Sequence, residues 1–361
     1  SHRLFLPKSV LLYIYFEKTS ARQQKQSFLF MSLRLSIIIP AYKVEDYIEK
    51  CIRSLEDQDI PKTDYEIIVT NDGSPDRCKE IVESLQKEFS NIVLVDQENQ
   101  GVSMARNNAI AIAKGKYILP IDPDDYVLPN TFSRILNEAE ILNIDVLYLG
   151  FEIFDAQNKS VWKSDYSPQG KTIFSGTDGY FTSRGYEVRD PDRSWGILFK
   201  KELLREFEIT YPKNVPYLED GLFLAKVFVV AKSVAFNNDI FYQRTTRLGS
   251  ATNSRLFFTE STILGFITAI KDLKQFASNN KLRIEQSNLV NHVVAKFVIL
   301  SLSPSISTFK FKDYFKVIRM LKKSGLDTLE TNGLRFLYGK HIQMYNFSKL
   351  LFPIYFRFNN K

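Results

Sequence analysis

The sequence predicts an α/β fold in which a mostly parallel sheet is covered by helices on both faces. Between residues 35 and 121, short runs of Ile, Val and Leu alternate with segments whose apolar residues recur at helical spacing. The apolar runs are nearly continuous, which is typical of strands buried on both faces. Ligands of such sheets lie beyond the carboxyl ends of the strands, so the loops after the strands are expected to hold the functional site.

Seven elements are expected in the first part of the chain. Its strands are predicted at residues 35–39, 66–70, 92–95 and 117–121, and its helices at 45–57, 75–89 and 102–113. Ser74, Pro75 and Asp76 are expected to start the second helix. Ser is a good N-cap, Pro suits the first helical position, and an acid suits the first turn.

The second half of the chain follows a different pattern. A strand is predicted at residues 145–154, helices at 195–207 and 220–230, and a further strand at 239–243. From residue 255 to the end, helix follows helix, with many Phe and Tyr side chains. A helical C-terminal region is therefore expected to follow the sheet.

Composition excludes several classes of protein. Hydrophobic residues make up 44% of the 361 residues, which excludes a disordered chain. The two cysteines, Cys51 and Cys78, exclude a disulfide scaffold and a Cys-based zinc cluster, so a reducing, cytoplasmic compartment is expected. The three histidines are scattered, so we expect chemistry based on carboxylates, Lys, Arg, Tyr or a metal held by oxygen atoms.

Charge is unevenly distributed along the chain. The net charge is +7, but residues 301–361 carry +8, residues 1–30 carry +4 and residues 31–300 carry −5. This pattern argues against a nucleic-acid partner and favours an anionic surface contacted by one end. Met31 directly precedes the first strand pattern, so residues 1–30 are expected to be an upstream extension. The alternative is an N-terminal anchor, whereas a signal peptide is not expected because no small-residue cleavage site follows residues 4–16.

An acidic turn, residues 122–125 (DPDD), follows the fourth predicted strand. Three carboxylates within four residues repel one another, and a divalent cation would remove that cost. Mg²⁺ and Mn²⁺ take oxygen ligands and commonly combine one or two carboxylates with substrate phosphates. Asp122 and Asp124 are therefore candidate metal ligands, with a solvated turn as the alternative.

Other polar residues also follow strands or open helices. Asp72 could accept hydrogen bonds from a nucleobase or ribose, or it could cap the next helix. Tyr42, which follows Pro40, could stack on a base, or it could be a packing residue of the fold. Gly101 allows a tight turn into a helix that carries Arg106, which can point at the cleft. The glycines of the dinucleotide fingerprint are absent, which counts against an NAD or FAD enzyme.

A second acidic pair and a basic loop are the remaining candidate functional segments. Glu219 and Asp220 open an apolar helix, where one of them could be a general base or both could stabilise the helix dipole. The basic loop, residues 242–247 and 250–252, contains Arg244, Arg247 and several hydroxyl groups. These side chains could bind a pyrophosphate, or the segment could be a solvated basic loop.

Together, in this order, these segments resemble the family 2 glycosyltransferases, the large inverting group with the GT-A fold, as found in bacterial polysaccharide synthesis. The resemblance spans residues 33–252 and rests on these blocks: 36–42 (SIIIPAY), 66–74 (EIIVTNDGS), 99–101 (NQG), 105–107 (ARN), 122–125 (DPDD), 219–220 (ED) and 242–244 (YQR). It departs from the family pattern at Pro120, Pro123 and Asn71, but no carboxylate is lost.

The resemblance implies a role for each matching residue. Pro40, Tyr42 and Asp72 would line the nucleobase pocket, Arg106 would face the nucleotide, and Arg244 would approach the diphosphate. Asp122 would lie nearer the ribose and Asp124 would be the principal ligand of Mn²⁺ or Mg²⁺. Asp220 would be the catalytic base, with Glu219 beside it, and the segment that starts at Trp195 would border the acceptor site.

The resemblance also implies an activity and a division of the chain. Residues 31–253 would be the GT-A domain, with a nucleotide-binding half at 31–125 and an acceptor half at 126–253, followed by the helical region 254–361. The enzyme would move a sugar from a nucleoside diphosphate sugar, expected to be a UDP-sugar, to a hydroxyl of a glycan or lipid-linked acceptor. A nucleotidyltransferase and a non-catalytic sugar-nucleotide-binding protein are the alternatives, and a homo-oligomer is a further option.

The C-terminal region mixes basic and aromatic residues. Lys and Arg between residues 310 and 323 alternate with Phe, Tyr, Val, Ile and Leu, and residues 345–358 are rich in Phe, Tyr and Leu. This pattern predicts peripheral docking on an anionic membrane surface. The alternative is that the helices pack on the sheet domain or on a second copy of the chain.

Overall fold

The computed structural model describes residues 33–167, 172–184, 192–215, 218–246, 259–308, 310–335 and 338–359. Within them, nine strands form one sheet: β1 Leu35–Ala41, β2 Tyr65–Asp72, β3 Ile92–Gln97, β4 Tyr117–Pro120, β5 Tyr126–Val127, β6 Val146–Phe154, β7 Ser160–Lys163, β8 Ile197–Lys200 and β9 Val234–Arg244.

Twelve helices accompany the sheet in the same described ranges. They are α1 Ile48–Glu56, α2 Cys78–Glu88, α3 Val102–Ile112, α4 Phe132–Ile141, α5 Gly176–Ser183, α6 Lys201–Glu206, α7 Glu219–Val230, α8 Glu260–Asn279, α9 Ile284–Ser307, α10 Phe311–Lys323, α11 Tyr338–Phe347 and α12 Phe352–Asn359.

The sheet is mixed, with its parallel part at one side. The strand order is β3-β2-β1-β4-β8-β6-β9-β5, and β7 pairs with β6. β1 is parallel to both β2 and β4, and β2 is parallel to β3, whereas β8 runs antiparallel to its two neighbours. β6 and β9 form a further parallel pair. The predicted α/β class, with a mostly parallel sheet and a helical C-terminal region, is confirmed.

Alternate residues of the central strands enter two separate cores. Ile38 and Ile68 belong to one hydrophobic cluster, and Ile37, Ile39 and Ile67 belong to the other. All five side chains are fully buried. The continuous apolar runs of β1 and β2 therefore exist because both faces of the sheet are covered.

The predicted helix at residues 195–207 is wrong over its first half. Residues Ile197–Lys200 form strand β8, and only Lys201–Glu206 are helical. Gly196 has a φ of +62°, a left-handed conformation that separates the preceding segment from β8. Ile197, Leu198 and Phe199 are completely buried between β4 and β6, so the antiparallel pairing overrides the helical pattern.

Several element boundaries also differ from the sequence prediction. The second helix begins at Cys78 rather than after Ser74, because residues 74–77 form a turn in which the Asp76 carboxylate accepts the N–H of Cys78 at 3.2 Å. Strand β9 is longer than predicted, since it begins at Val234. Helix α4 and strands β5 and β7 were not predicted, although Phe132, Ile135, Leu136 and Ala139 show the helical spacing of a buried face.

The C-terminal helices share one of the two cores with the sheet. The cluster that contains Ile38 also contains residues of α7, α8, α9 and α10. By length and composition α9 is the one described helix that could cross a membrane, but 72% of its most apolar stretch is buried inside the fold. It therefore has the character of a core helix, and Tyr314, Val317 and Leu321 of α10 also face inward.

Parts of the sequence prediction fall outside the described residues. These are the extension 1–30, the proposed boundary at 253–254, and the loop residues Arg247, Ser250 and Thr252. The division into domains stays a prediction.

Candidate active site

The loops after β1 and β2 meet at the carboxyl edge of the sheet. Pro40 is buried within β1, where it pairs in register with Thr70 of β2. Tyr42 follows β1 and its side chain is 42% exposed, so its ring is available to a ligand. The two loops are joined by a hydrogen bond of 2.7 Å from the N–H of Lys43 to the Ser74 hydroxyl. This edge is where the sequence placed the nucleobase pocket.

Asp72, the last residue of β2, fastens the loop that leads into α3. One of its carboxylate oxygens accepts the Gln97 side-chain amide and the Gln100 N–H, both at 2.8 Å. The other oxygen accepts the N–H of Gly101, the residue before α3, at 2.9 Å. Asp72 therefore caps the approach to α3 rather than the helix that follows β2, and its contact with a nucleobase stays a prediction.

The acidic turn after β4 is tied to the end of β9. The Asp125 carboxylate accepts the Tyr242 hydroxyl at 2.6 Å and the Thr245 N–H at 2.7 Å. The Thr245 hydroxyl donates to the backbone carbonyl of Asp124 at 2.6 Å. Asp125 is buried and has a structural role, whereas Asp122 and Asp124 are partly exposed.

Arg106 of α3 joins the two acidic groups of the sequence. Its guanidinium donates to Asp122 at 2.9 Å, to Asp220 at 3.1 Å and to Glu219 at 3.2 Å. The arginine side chain is only 4% exposed. A loop after β4 and the first turn of α7 therefore meet at one buried cation, although Asp122 and Asp220 lie 98 positions apart in the sequence.

The concentration of acids shows in their pKa values. Burial raises the pKa of Asp122 to about 6, assisted by Asp124 and Asp220 and opposed by Arg106. Burial and the neighbouring Asp220 raise the pKa of Glu219 to about 7. Burial alone would lower the pKa of Arg106, but Asp220 and Asp122 raise it well above its usual value. One arginine does not neutralise this group, so the site favours a further cation or a proton.

Asp220 is held in one orientation by Ser194. The Ser194 hydroxyl donates to one carboxylate oxygen at 2.8 Å, and the Ser194 N–H donates to the other at 3.1 Å. Leu218, which precedes α7, adopts a left-handed φ of 60° and directs the chain into the helix. Ser194 was not identified from the sequence, which carries no motif that signals it.

Trp195 and Arg244 lie together beside an aromatic cluster. The Trp195 ring stacks on Tyr242 with a centroid distance of 4.6 Å, and its side chain is only 7% exposed. The Arg244 guanidinium lies 5.8 Å from the Trp195 ring centroid. The buried Arg193 lies 4.5 Å from the same ring. Trp195 therefore supports the site from within the core, and the substrate contacts expected of Trp195 and Arg244 stay predictions.

The chemistry of the acidic turn fits a divalent cation that is shared with a substrate. No group of three or more His, Cys, Asp or Glu side chains is arranged to hold a metal ion among the described residues. Asp122 and Asp124 lie close enough for Asp124 to raise the pKa of Asp122, and both offer hard oxygen ligands. Two carboxylates supply what Mg²⁺ or Mn²⁺ takes from a protein when phosphate oxygens and water complete its shell.

The fold and this edge of the sheet define a GT-A protein. The crystal structure of S. aureus TarS 1–349 in complex with UDP-GlcNAc superimposes with a TM-score of 0.67 and 20% sequence identity, covering 90% of this chain and 92% of that one. At this identity the likeness concerns the fold. It extends beyond the sheet, since the coverage includes most of the helical C-terminal region.

Residues 36–201, somewhat less than half of the chain, match the family described as Glycosyl transferase family 2. It is 34% identical over 211 residues to the "Uncharacterized glycosyltransferase EpsJ" of Bacillus subtilis (strain 168), covering 58% of this chain and 60% of that protein. It is 32% identical over 212 residues to the "Poly(ribitol-phosphate) beta-glucosyltransferase" of Bacillus spizizenii, covering 58% of this chain and 32% of that protein. The chain thus spans less than two thirds of the length of these relatives. The resemblance to this family that was inferred from the motifs is confirmed for residues 36–201.

Proposed function

We propose that this chain transfers a sugar from a nucleoside diphosphate sugar to a hydroxyl group of a glycan or lipid-linked acceptor, with inversion at the anomeric carbon. A UDP-sugar is the proposed donor, and synthesis of a cell-surface polysaccharide is the proposed setting. The family, the fold and the crystallisation of the TarS fragment with UDP-GlcNAc support this choice.

The observation that carries the proposal is the meeting of two acidic groups at Arg106. Asp122, from the strand-end turn, and Asp220, from the start of α7, bind the same guanidinium at 2.9 and 3.1 Å. Glycosyl transfer with inversion needs positive charge at the leaving diphosphate and a base at the acceptor hydroxyl, side by side. The acidic turn after β4 can hold a cation for the diphosphate, and Asp220 at the start of α7 can accept the proton.

Asp220 is the proposed base. The acceptor oxygen attacks the anomeric carbon from the face opposite the diphosphate, the bond to the diphosphate oxygen breaks, and Asp220 accepts the hydroxyl proton. One displacement of this kind inverts the anomeric configuration. The two hydrogen bonds from Ser194 hold the carboxylate in place for the transfer.

The leaving diphosphate gains negative charge as the bond breaks. Arg244, at the end of β9, is proposed to approach it, and Arg106 faces the nucleotide side of the site. A divalent cation held by Asp124 and Asp122 would supply further positive charge to the diphosphate oxygens. Pro40, Tyr42 and Asp72 are proposed to line the base and ribose pocket at the ends of β1 and β2.

A donor screen tests the activity. The chain is incubated with UDP-, GDP-, CDP- and dTDP-sugars, with and without Mn²⁺, and release of the nucleoside diphosphate is measured. Release of a nucleoside diphosphate with transfer of the sugar supports the proposal. Release of pyrophosphate from a nucleoside triphosphate and a sugar phosphate would identify a nucleotidyltransferase instead. Binding of a nucleotide sugar without turnover, in the presence of glycan and lipid-linked acceptors, would identify a non-catalytic protein.

A pair of matched variants tests the base. Asp220→Asn should lower turnover by about a hundred- to ten-thousandfold, while donor affinity changes little, because the lost group acts on the acceptor. Glu219→Gln, one residue away, is the control and should retain most of the turnover. Glu219 is the competing base because its pKa of about 7 suits proton transfer near neutral pH. An inactive Glu219→Gln beside an active Asp220→Asn would exchange the two roles.

A second variant tests the metal. Asp124→Ala should abolish the gain in donor affinity that Mn²⁺ gives, measured by calorimetry with and without the ion. The fold should be retained, since Asp125 still ties the turn to β9 through Tyr242 and Thr245. Asp239→Ala, at a partly exposed acid of β9, is the control. Equal effects of Mn²⁺ on the wild-type chain and on Asp124→Ala would overturn the assignment.

A further inference from the structure

Exposed apolar side chains are concentrated at the C-terminal end of the described chain. Among the described residues, sixteen large apolar side chains are exposed, and seven of them lie between residues 311 and 358. The five that concern us are Phe311, Phe315, Phe347, Leu350 and Leu351, with exposures of 49, 37, 80, 69 and 45%. Phe311 and Phe315 belong to α10, and the other three lie at the turn between α11 and α12. We call these five residues the apolar face.

Tyr314 joins the two parts of the apolar face. It precedes Phe315 in α10, is buried, and its hydroxyl donates to the backbone carbonyl of Lys349 at 2.7 Å. Lys349 lies directly before Leu350 in the turn. The aromatic flank of α10 and the α11–α12 turn are therefore neighbours, held by a buried anchor.

A basic stripe borders the apolar face. Successive residues of a helix are rotated by about 100°, so the side of α10 opposite its buried residues can be read from the sequence. Tyr314, Val317 and Leu321 are buried, and Phe311 and Phe315 lie on one flank of them. The outer side of the helix carries five exposed cations, of which Lys316 pairs with Glu260 at 2.6 Å: Lys312, Lys316, Arg319, Lys322 and Lys323. Asp313 is the one acid of the helix.

We propose that the apolar face and the basic stripe of α10 dock this protein on an anionic lipid surface. Large apolar side chains enter the region between headgroups and acyl chains, and adjacent lysines and arginines bind the negative headgroups. The stems of these cations cover apolar surface while their charged ends remain at the headgroups. This mechanism is independent of the proposed glycosyl transfer.

The charge of the region favours a lipid surface over a second copy of the chain. Residues 301–361 carry a net charge of +8. A symmetric dimer through this face would place the same basic stripe against itself, because a two-fold interface joins identical patches. Like charges in such an interface repel one another, whereas an anionic membrane attracts them. Only part of the region predicted from the sequence remains available for docking, because Tyr314, Val317 and Leu321 are buried.

Co-sedimentation of the full chain with vesicles tests the proposal. Vesicles of phosphatidylcholine with phosphatidylglycerol are compared with vesicles of phosphatidylcholine alone. The chain should bind the anionic vesicles only, and about 0.5 M salt should release most of it, because salt screens the headgroup charge. Vesicle binding needs no turnover, so an inactive protein can still pass this test and an active protein can fail it.

Two sets of variants separate the charged from the apolar contribution. The triple variant Lys312→Glu/Arg319→Glu/Lys322→Glu should weaken binding by about a hundredfold, since each cation near the surface contributes roughly fivefold. The double variant Leu350→Ser/Leu351→Ser should weaken it by at least about tenfold. Arg205→Glu and Ile141→Ser, at exposed positions elsewhere, are the matched controls and should bind as the wild type does.

Three results would overturn the proposal. One is the absence of binding to anionic vesicles, and another is equal loss of binding in the control variants. The third is a wild-type chain that binds no vesicles but self-associates in sedimentation velocity, with the self-association abolished in the Leu350→Ser/Leu351→Ser variant. That result would assign the face to a second copy. Circular dichroism and thermal unfolding of every variant establish that the fold is intact.

Discussion

Arg106 is the residue whose removal should most disturb the stability of the site. Its guanidinium bonds to Asp122, Glu219 and Asp220, and its side chain is 4% exposed. Arg106→Met keeps a long apolar stem but leaves three largely buried carboxylates without their cation. We expect the free energy of unfolding to fall, and the loss to depend on pH.

The size of the loss follows from the geometry. At an effective dielectric constant of about 20, two unit charges about 4 Å apart attract by about 4 kcal/mol. The attraction of three such pairs is partly offset by the free energy needed to take the guanidinium out of water. Removing one partner of a buried pair typically lowers the free energy of unfolding by about 3–5 kcal/mol. We therefore expect a loss of about 4 kcal/mol at about pH 8.

Low pH should reduce the loss of stability that Arg106→Met causes. A carboxyl group without a partner can take up a proton, at a cost of about 1.4 kcal/mol for each pH unit above its unfolded pKa. Near pH 5.5 this cost is only about 2 kcal/mol, so the loss should fall to about that value. Urea unfolding of the wild type and of Arg106→Met at both pH values measures the difference. Arg205→Met, at an exposed arginine paired with Glu202, is the control and should lose less than about 1 kcal/mol. A loss below about 1 kcal/mol for Arg106→Met, or an equal loss at both pH values, would refute the reasoning.

Three further predictions concern neighbouring residues. Because the folded pKa of Glu219, about 7, lies above its unfolded value of 4.5, the wild type loses stability as pH rises between these values. Glu219→Gln should then be about 2 kcal/mol more stable than the wild type at about pH 8 and no more stable below about pH 4.5, measured by urea unfolding. Ser194→Ala should lower turnover about tenfold with unchanged donor affinity, because it removes one bond that orients Asp220, and Ser194→Thr should restore part of it; equal turnover in Ser194→Ala and the wild type would contradict this. Gly73→Ala should weaken donor binding and lower the melting temperature, since Gly73 has a φ of +62° and an added Cβ would lie 2.8 Å from the backbone nitrogen of Asn99; a variant as stable as the wild type would disprove the clash.

The edge that holds the site could be predicted because parallel strands end together. Once β1, β2 and β4 were identified from their apolar runs, Tyr42, Asp72 and the acidic turn were placed at one edge. The helical start at Glu219 was also predictable, since an acidic pair opens a long apolar run. The position of the site edge and the start of this helix depend only on local sequence patterns and on the fact that parallel strands end at one edge of a sheet.

The connections across the site could not be predicted, because they depend on how distant segments pack. Ser194 contacts Asp220 only because the chain turns at Gly196 and enters β8, a strand of four residues that the helical pattern concealed. The anchoring of the acidic turn by Tyr242 and Thr245 likewise depends on β9 reaching that turn. Short apolar runs are ambiguous between helix and strand, and only the neighbouring strands resolve them.

The arrangement at Arg106 also indicates how stability and ligand binding are linked. Four acids, Asp122, Asp124, Glu219 and Asp220, share a region with one buried guanidinium, and the pKa values of Asp122 and Glu219 are raised by burial and by like charge. A carboxylate whose pKa is raised in the folded state lowers the stability of the free protein at neutral pH. Any cation that binds the folded state alone relieves that repulsion and stabilises the fold by an amount that grows with the logarithm of its affinity. Local physical rules are often broken at functional sites, and here the break coincides with the proposed active site.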